Sequence, residues 1–315
     1  MTTNRRDFLR AGGAALLLFG GIPSASWAAP NAALRLIEPL GRPSVVWTAL
    51  GTLQPALGQI LGCAVELQTV TGDDGLNALH AAADATAAET RIFGGPVMAT
   101  QYAETIRPYD VKLEGLTPIA KLTEGFSVAI FVKAGGAIGD WPSLAKRASS
   151  SPVAVSSLER ATAAYIADLM IERKARLPMA TTLRPTIAAV VDDVLQGRAD
   201  AGIIPTVLVA RQPGDLLPLA TFGARRNARL AHIPTFAELM GDPKLAFTES
   251  VGAFGPAGLS KEARARLESA FLAAGQDEGV MSASEGTDFP VAVKDADTLV
   301  ATMARNRRVL DTILT

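Results

Sequence analysis

Residues 34–67 read LRLIEPLGRPSVVWTALGTLQPALGQILGCAVEL, and this stretch decides the fold class. Leu34-Arg35-Leu36-Ile37 is a short apolar run closed by Pro39, the pattern of a buried strand. From Val45 to Leu61 the apolar residues recur at helical spacing, and Cys63-Ala64-Val65-Glu66-Leu67 follows as a second strand. Working outward, Gly75 to Ala88 predicts another helix, and Arg91-Ile92-Phe93-Gly94-Gly95 a third strand that glycines stop. Strands alternating with helices in this order predict a mostly parallel sheet covered by helices.

Leu116 to Leu122 and Phe126 to Val132 then read as strands, after which the pattern restarts. Helices are predicted over Trp141 to Ala148, Thr162 to Arg173 and Ile187 to Gln196, and strands over Val153-Ala154-Val155 and Ala201-Gly202-Ile203-Ile204. Beyond Val251-Gly252-Ala253-Phe254, helices over Lys261 to Ala274 and Ala296 to Leu310 close the chain. Two α/β units in series predict a two-lobed α/β fold, each lobe a mostly parallel sheet flanked by helices. Residues 29–128 plus 252–315 form one lobe in this reading, and 129–251 the other. No low-complexity linker separates them, so the chain is expected to cross in ordered strands, near Phe126 to Val132 and Phe247 to Phe254, as in a hinge.

The N-terminus reads as an address. Asn4-Arg5-Arg6-Asp7-Phe8-Leu9-Arg10 sets two adjacent arginines before an apolar run from Ala11 to Ile22, and small residues surround Ser26 and Ala28. Residues 1–28 therefore predict a twin-arginine signal peptide and a periplasmic protein. The apolar run falls short of the roughly 20 residues a membrane span needs. The remainder suits either one large domain or two domains of ordinary size. A formal net charge of -1 gives no pull toward nucleic acid. Cys63 is the one cysteine, which excludes an internal disulfide, and His80 and His232 stand apart from any metal-ligand spacing. No activated nucleophile or cofactor loop is legible; Gly94-Gly95-Pro96 is too short for a dinucleotide fingerprint, so a binding protein without cofactor is expected rather than an enzyme.

In open parallel sheets, ligands settle beyond the carboxyl ends of strands, where loops lead into helix N-termini whose unpaired amides attract anions. That rule picks Leu40, Gly41, Arg42 and Ser44 after the first strand, and Pro96 and Met98 after the third. It also picks Ser156, Ser157, Arg160, Ala161 and Thr162 in the second unit, and Thr206 after Pro205. Arg42 and Arg160 offer bidentate forks to a carboxylate or are solvated surface. Ser157 and Thr162 offer hydroxyls or serve as helix caps. Trp47 is either core or a wall for the apolar part of a ligand.

With these loops in hand, the sequence resembles the substrate-binding proteins of tripartite tricarboxylate transporters, the Bug-type receptors. The likeness rests on Leu34 to Pro39, Val70-Thr71-Gly72-Asp73-Asp74-Gly75 and Leu116-Thr117-Pro118-Ile119-Ala120. It continues through Val194-Leu195-Gln196-Gly197-Arg198-Ala199-Asp200, Ile233-Pro234-Thr235-Phe236-Ala237-Glu238 and Gly252-Ala253-Phe254-Gly255-Pro256-Ala257-Gly258. The resemblance implies a two-lobed α/β receptor that closes on a small organic acid and holds its carboxylate with backbone amides, hydroxyls and water; a monomer is expected. It further implies that the closed form is handed to the membrane subunits of a transporter or, alternatively, to a sensor kinase. The departures fall in the pocket: the family's Gly-rich stretch after the first strand is here Gly41-Arg42-Pro43-Ser44-Val45-Val46-Trp47. Bulky and charged residues there remove the close backbone approach that glycine permits, so the resemblance carries the fold further than the ligand.

Overall fold

The computed structural model describes residues 33–42, 44–84, 90–107 and 110–315. The export signal read over residues 1–28 lies outside them, as do Pro43 and residues 85–88 of the helix expected up to Ala88.

The chain begins with β1 (Leu34–Glu38), α1 (Val45–Leu61), β2 (Val65–Thr69), α2 (Leu76–Ala83), β3 (Thr90–Pro96), α3 (Val97–Ile106) and β4 (Thr117–Thr123). A second run follows: β5 (Val128–Lys133), α4 (Trp141–Ser150), β6 (Val153–Leu158), α5 (Ala163–Met170), β7 (Met179–Arg184), α6 (Ile187–Leu195), β8 (Ala201–Pro205), α7 (Thr206–Val209), β9 (Leu216–Thr221) and α8 (Phe236–Met240). The chain then returns through β10 (Val251–Gly255), α9 (Lys261–Ala274), α10 (Glu278–Ser284), β11 (Val291–Lys294) and α11 (Ala296–Leu314). One sheet runs β11-β4-β10-β3-β1-β2 and the other β7-β6-β8-β5-β9.

The periodicity of the opening stretch explains α1. Ser44 caps it, its Oγ accepting from the Trp47 amide at 3.0 Å, and Gly62 ends it in the left-handed region at φ 69°. Val46, Ala49, Leu50, Leu53, Leu57 and Leu61 form one buried stripe against the sheet. Each leucine so buried contributes about 1.5–3 kcal/mol.

Both sheets are mixed, which corrects the expectation of mostly parallel ones. β1 pairs in parallel with β2 and β3, and β6 with β7 and β8. β10 runs antiparallel to β3 and β4, while β5 runs antiparallel to β8 and β9. β5 and β10 stand at the chain's passages between the sheets, and β11 adds a further antiparallel pairing, to β4. β4 leads outward into β5, and residues 247–250 return into β10; Phe126 and Glu249 exchange both backbone hydrogen bonds at 2.8 Å where the passages meet.

The hydrophobic core of the second unit extends beyond its own elements. Met98, Ala99 and Tyr102 of α3 join it, as do Val309, Leu310 and Ile313 of α11, and Arg173 Nη1 donates to the Ile313 carbonyl at 3.2 Å. In the first sheet, the Phe93 and Phe254 rings, 6.2 Å apart, lie over a glycine pair, Gly95 opposite Gly252. A Cβ on Gly252 would stand 2.7 Å from the Phe254 ring, 2.9 Å from Leu299 and 3.0 Å from Val97. Gly252→Ala is therefore expected to destabilise the fold by about 1–3 kcal/mol, read as a lower urea midpoint at unchanged slope. An unmoved midpoint would mean that the Phe254 ring, Leu299 and Val97 yield freely.

Candidate functional site

The first unit brings two loops that lead into helices toward the second, and its own carboxylates take backbone amides at both. After β1 the chain turns through Pro39-Leu40-Gly41, with Gly41 at φ 73°. The buried Glu38 carboxylate folds back beneath this turn. It accepts from the Leu40 amide at 2.9 Å and the Gly41 amide at 2.9 and 3.1 Å, and the Thr69 hydroxyl donates to it as well. Arg42 follows with its guanidinium carbon 4.1 Å from the centre of the Trp47 ring, a cation–π contact.

At the second entrance, where β3 turns into α3, the Met98 and Ala99 amides donate to Glu249 Oε1 and Oε2 at 3.0 and 2.9 Å. The Ser250 amide adds a third bond to Oε1 at 2.8 Å. Glu249 sits on the returning passage between the sheets and is fully enclosed. Burial pushes its carboxyl up to about 7, against the downward pull of these amides.

The second unit contributes two helix N-termini that remain open. β6 ends at Leu158, and Thr162 caps α5; its Oγ1 accepts from the Tyr165 amide at 3.3 Å and donates to the Glu159 carbonyl at 2.6 Å. β7 ends at Arg184, Pro185 breaks the strand, and Thr186 caps α6 by accepting from the Ala189 amide at 3.2 Å. A buried network holds α6 in register. Asp193 accepts from Ser156 Oγ at 2.8 Å, Arg184 Nε at 2.5 Å and Arg198 Nε at 2.8 Å. The Arg184 hydrogen bond above all holds the Asp193 carboxyl well below the usual carboxylate range, with Arg198 and Ser156 adding to it.

These parts enclose a cavity of about 460 Å³. Thr162, Ala163 and Ala164 line it from α5, and Thr186, Ile187 and Ala188 from α6. Leu40, Val45, Pro96, Phe126, Leu158 and Phe289 supply much of its apolar wall, and Phe126 and Phe289 meet edge to face at 5.0 Å. Arg42, Glu159 and Glu249 are its charged lining residues.

Of the residues picked from sequence, Leu40, Arg42, Ser44, Pro96, Ala161 and Thr162 line this cavity. Trp47 lines a separate hollow of about 440 Å³ with Arg42, Thr48 and Gly51. Gly41 and Met98 have given their amides to Glu38 and Glu249. Ser156 is buried, and its hydroxyl donates to Asp193 Oδ2 at 2.8 Å. The buried Thr206 Oγ1 pairs with Ser127 Oγ at 2.8 Å. Ser157 is buried, and its hydroxyl has no partner among the described residues. Arg160 is exposed and stays outside the lining, where its neighbour Glu159 takes a place instead. Sequence reasoning missed the α6 entrance, Glu249 and Phe289. Pro185-Thr186 before the apolar Ile187 was the available signal for the first.

Among the described residues, no cluster of three or more His, Cys, Asp or Glu side chains stands ready for a metal ion, and no helix is long and apolar enough to cross a membrane.

No family model and no curated protein matches the chain. Among solved structures it is similar to a TctC solute-binding protein from Polaromonas, at 16% identity and a TM-score of 0.70 over 90% of this chain and 97% of that one. MatC from Rhodopseudomonas palustris with bound malate gives 17% identity and a TM-score of 0.71 over 88% and 98% of the two chains. A second R. palustris protein, Rpa4515 with adipate, gives 16% and 0.69 over 91% and 98%. At such identities the likeness is one of fold, and the chain has the two-lobed α/β fold of the solute-binding proteins.

Proposed function

We propose that the protein is an exported, periplasmic receptor of the tripartite tricarboxylate transporter kind, which captures a small organic acid in the cleft and is not an enzyme. One observation carries this reading: the N-termini of α5 and α6 open side by side into a single, largely apolar cavity, with Arg42 reaching it from the other unit. Helix N-termini bind anions through unpaired amides and the positive end of the dipole, and an arginine adds a charged fork. The lobes are residues 29–128 plus 252–315 and residues 129–251, with the paired passages at Phe126 and Glu249 as the hinge. An acid that touches both lobes favours the closed form, because a ligand shifts a hinge only through its differential affinity for the two states. Neighbours of the same fold that hold malate and adipate support the ligand class. In this reading the twin-arginine segment exports the chain, and the closed monomer docks on the membrane subunits of the transporter.

A thermal-shift screen of the mature chain against organic acids tests the proposal. An acid at about 100 times its dissociation constant is expected to stabilise the native state by about 2.7 kcal/mol, a rise of several degrees in melting temperature. If sugars or cations raise the melting temperature and no carboxylate does, the carboxylate reading is wrong.

A further inference from the structure

We infer that Trp47 is a positioning residue for the cleft: its ring holds the Arg42 guanidinium at the cavity wall and leaves the N–H fork free for the carboxylate of the bound acid. The inference rests on the receptor reading and gives a part in recognition to a residue that does not itself line the cavity.

Two hollows meet at Arg42. It is the only cationic side chain on the wall of the cleft cavity among the described residues, and it also lines the second hollow beside Trp47, Thr48 and Gly51. Trp47 lines only the second. An acid in the cleft therefore meets Arg42 and not the indole.

The place of the guanidinium needs a physical cause. Arg42 is exposed, and among the described residues the indole is its only partner; no carboxylate or carbonyl accepts from it. It stands two residues before Ser44, the cap of α1. The first two amides of α1, at Val45 and Val46, have no intrahelical acceptor, so this end of the helix carries partial positive charge and disfavours a cation. An arginine held by nothing would swing out to water. The face of Trp47 supplies the offsetting attraction, with the guanidinium carbon 4.1 Å from the centre of the ring. Trp47 is itself fixed, because it is the third residue of α1, half-buried, with its amide bonded to Ser44 Oγ at 3.0 Å.

Attraction to a ring face needs no oxygen acceptor, so the side chain is restrained while its fork stays available to a carboxylate. A restrained arginine loses less rotamer freedom when the acid arrives. The ring thereby raises affinity without touching the ligand.

The test is a double-mutant cycle, read by calorimetric titration of the mature chain with adipate, malate and benzoate. The tightest binder of the three is carried through Trp47→Leu, Arg42→Ala and the double variant. Trp47→Leu removes the ring face and is expected to weaken binding about two- to fivefold, the scale of an exposed cation–π contact. In the Arg42→Ala background the same substitution is expected to change nothing, because no guanidinium remains to be placed. Trp47→Phe keeps a face and is expected to recover most of the affinity. Tighter binding by Trp47→Leu would mean that the ring draws Arg42 away from the acid, and it overturns the inference, as does unchanged affinity. An equal loss in both backgrounds also overturns it, since Trp47 would then act through the shape of α1. If Trp47→Leu does not fold, Trp47→Gln takes its place in the cycle. Binding of an acid without coupling between the two residues sinks the inference alone; failure of all three acids to bind the wild-type chain sinks the receptor reading with it.

Discussion

The protein is expected to melt at least roughly 5 °C higher at pH 5 than at pH 8, because three buried carboxyls hold their protons far longer in the native state than in the unfolded chain. Glu249 and Glu104 are each pushed up to about 7, and Asp168 to about 6, with burial the leading cause in all three. Glu104 accepts from the Leu113 amide, with the acidic Glu114 nearby, while Asp168 has a single bond from the Thr181 hydroxyl at 2.7 Å. In the unfolded chain the glutamates ionise near 4.5 and the aspartate near 3.8. Between those values and the native ones the native state binds more protons, so stability falls as pH rises through the window. For each glutamate the loss from pH 5 to pH 8 is about 3 kcal/mol at most, given about 1.4 kcal/mol per pH unit. The depressed Asp193 is ionised in both states throughout this range and adds no slope. Scanning calorimetry at the two pH values reads the effect, and Glu104→Gln, which keeps an acceptor for Leu113, is expected to flatten it. A melting temperature that rises with pH would show these carboxyls to be solvated.

Much of the architecture was legible because its strands and helices carry their own periodicity. In β1–α1–β2 the run, the cap at Ser44 and the stop at Gly62 all agree with the tertiary packing. Three strands were not legible. β7 is MATTLR, too polar to stand out, and β9 carries Pro218, which marks a non-strand unless the strand lies at an edge, as β9 does. β11 is only four residues long. Strand direction was not legible either, since short apolar runs have no polarity, and the antiparallel placement of β5 and β10 follows from the passages between units. In the site, Arg42, Ser44 and Thr162 followed from the rule that loops after strands open helices. The α6 entrance was lost with β7. Nothing local to Glu38 or Glu249 marks its partners; Glu249 meets the Met98 amide across 151 positions of sequence, a pairing only the fold creates.

The second large effect concerns Ala188, the second residue of α6, exposed and on the cavity wall. An aspartate there should suit the helix, because a negative charge in the first turn contributes about 0.3–1 kcal/mol of favourable dipole interaction. The melting temperature of unliganded Ala188→Asp is therefore expected to stay level or rise slightly. Binding is expected to collapse. The new carboxylate competes for the amides of Ile187 and residue 188 and places a like charge beside the ligand head. At a separation of about 5 Å and an effective dielectric of about 20, that repulsion is about 3 kcal/mol, or roughly a hundredfold in affinity. Ala188→Asn has nearly the same size without the charge, and should cost only a few-fold, which separates electrostatics from sterics. Titration of wild type and both variants with the best acid of the screen, at low and at high salt, measures this. The aspartate penalty should shrink as salt screens it. Equal affinity of wild type and Ala188→Asp would move the acid away from α6, leaving the α5 terminus and Arg42 to hold it.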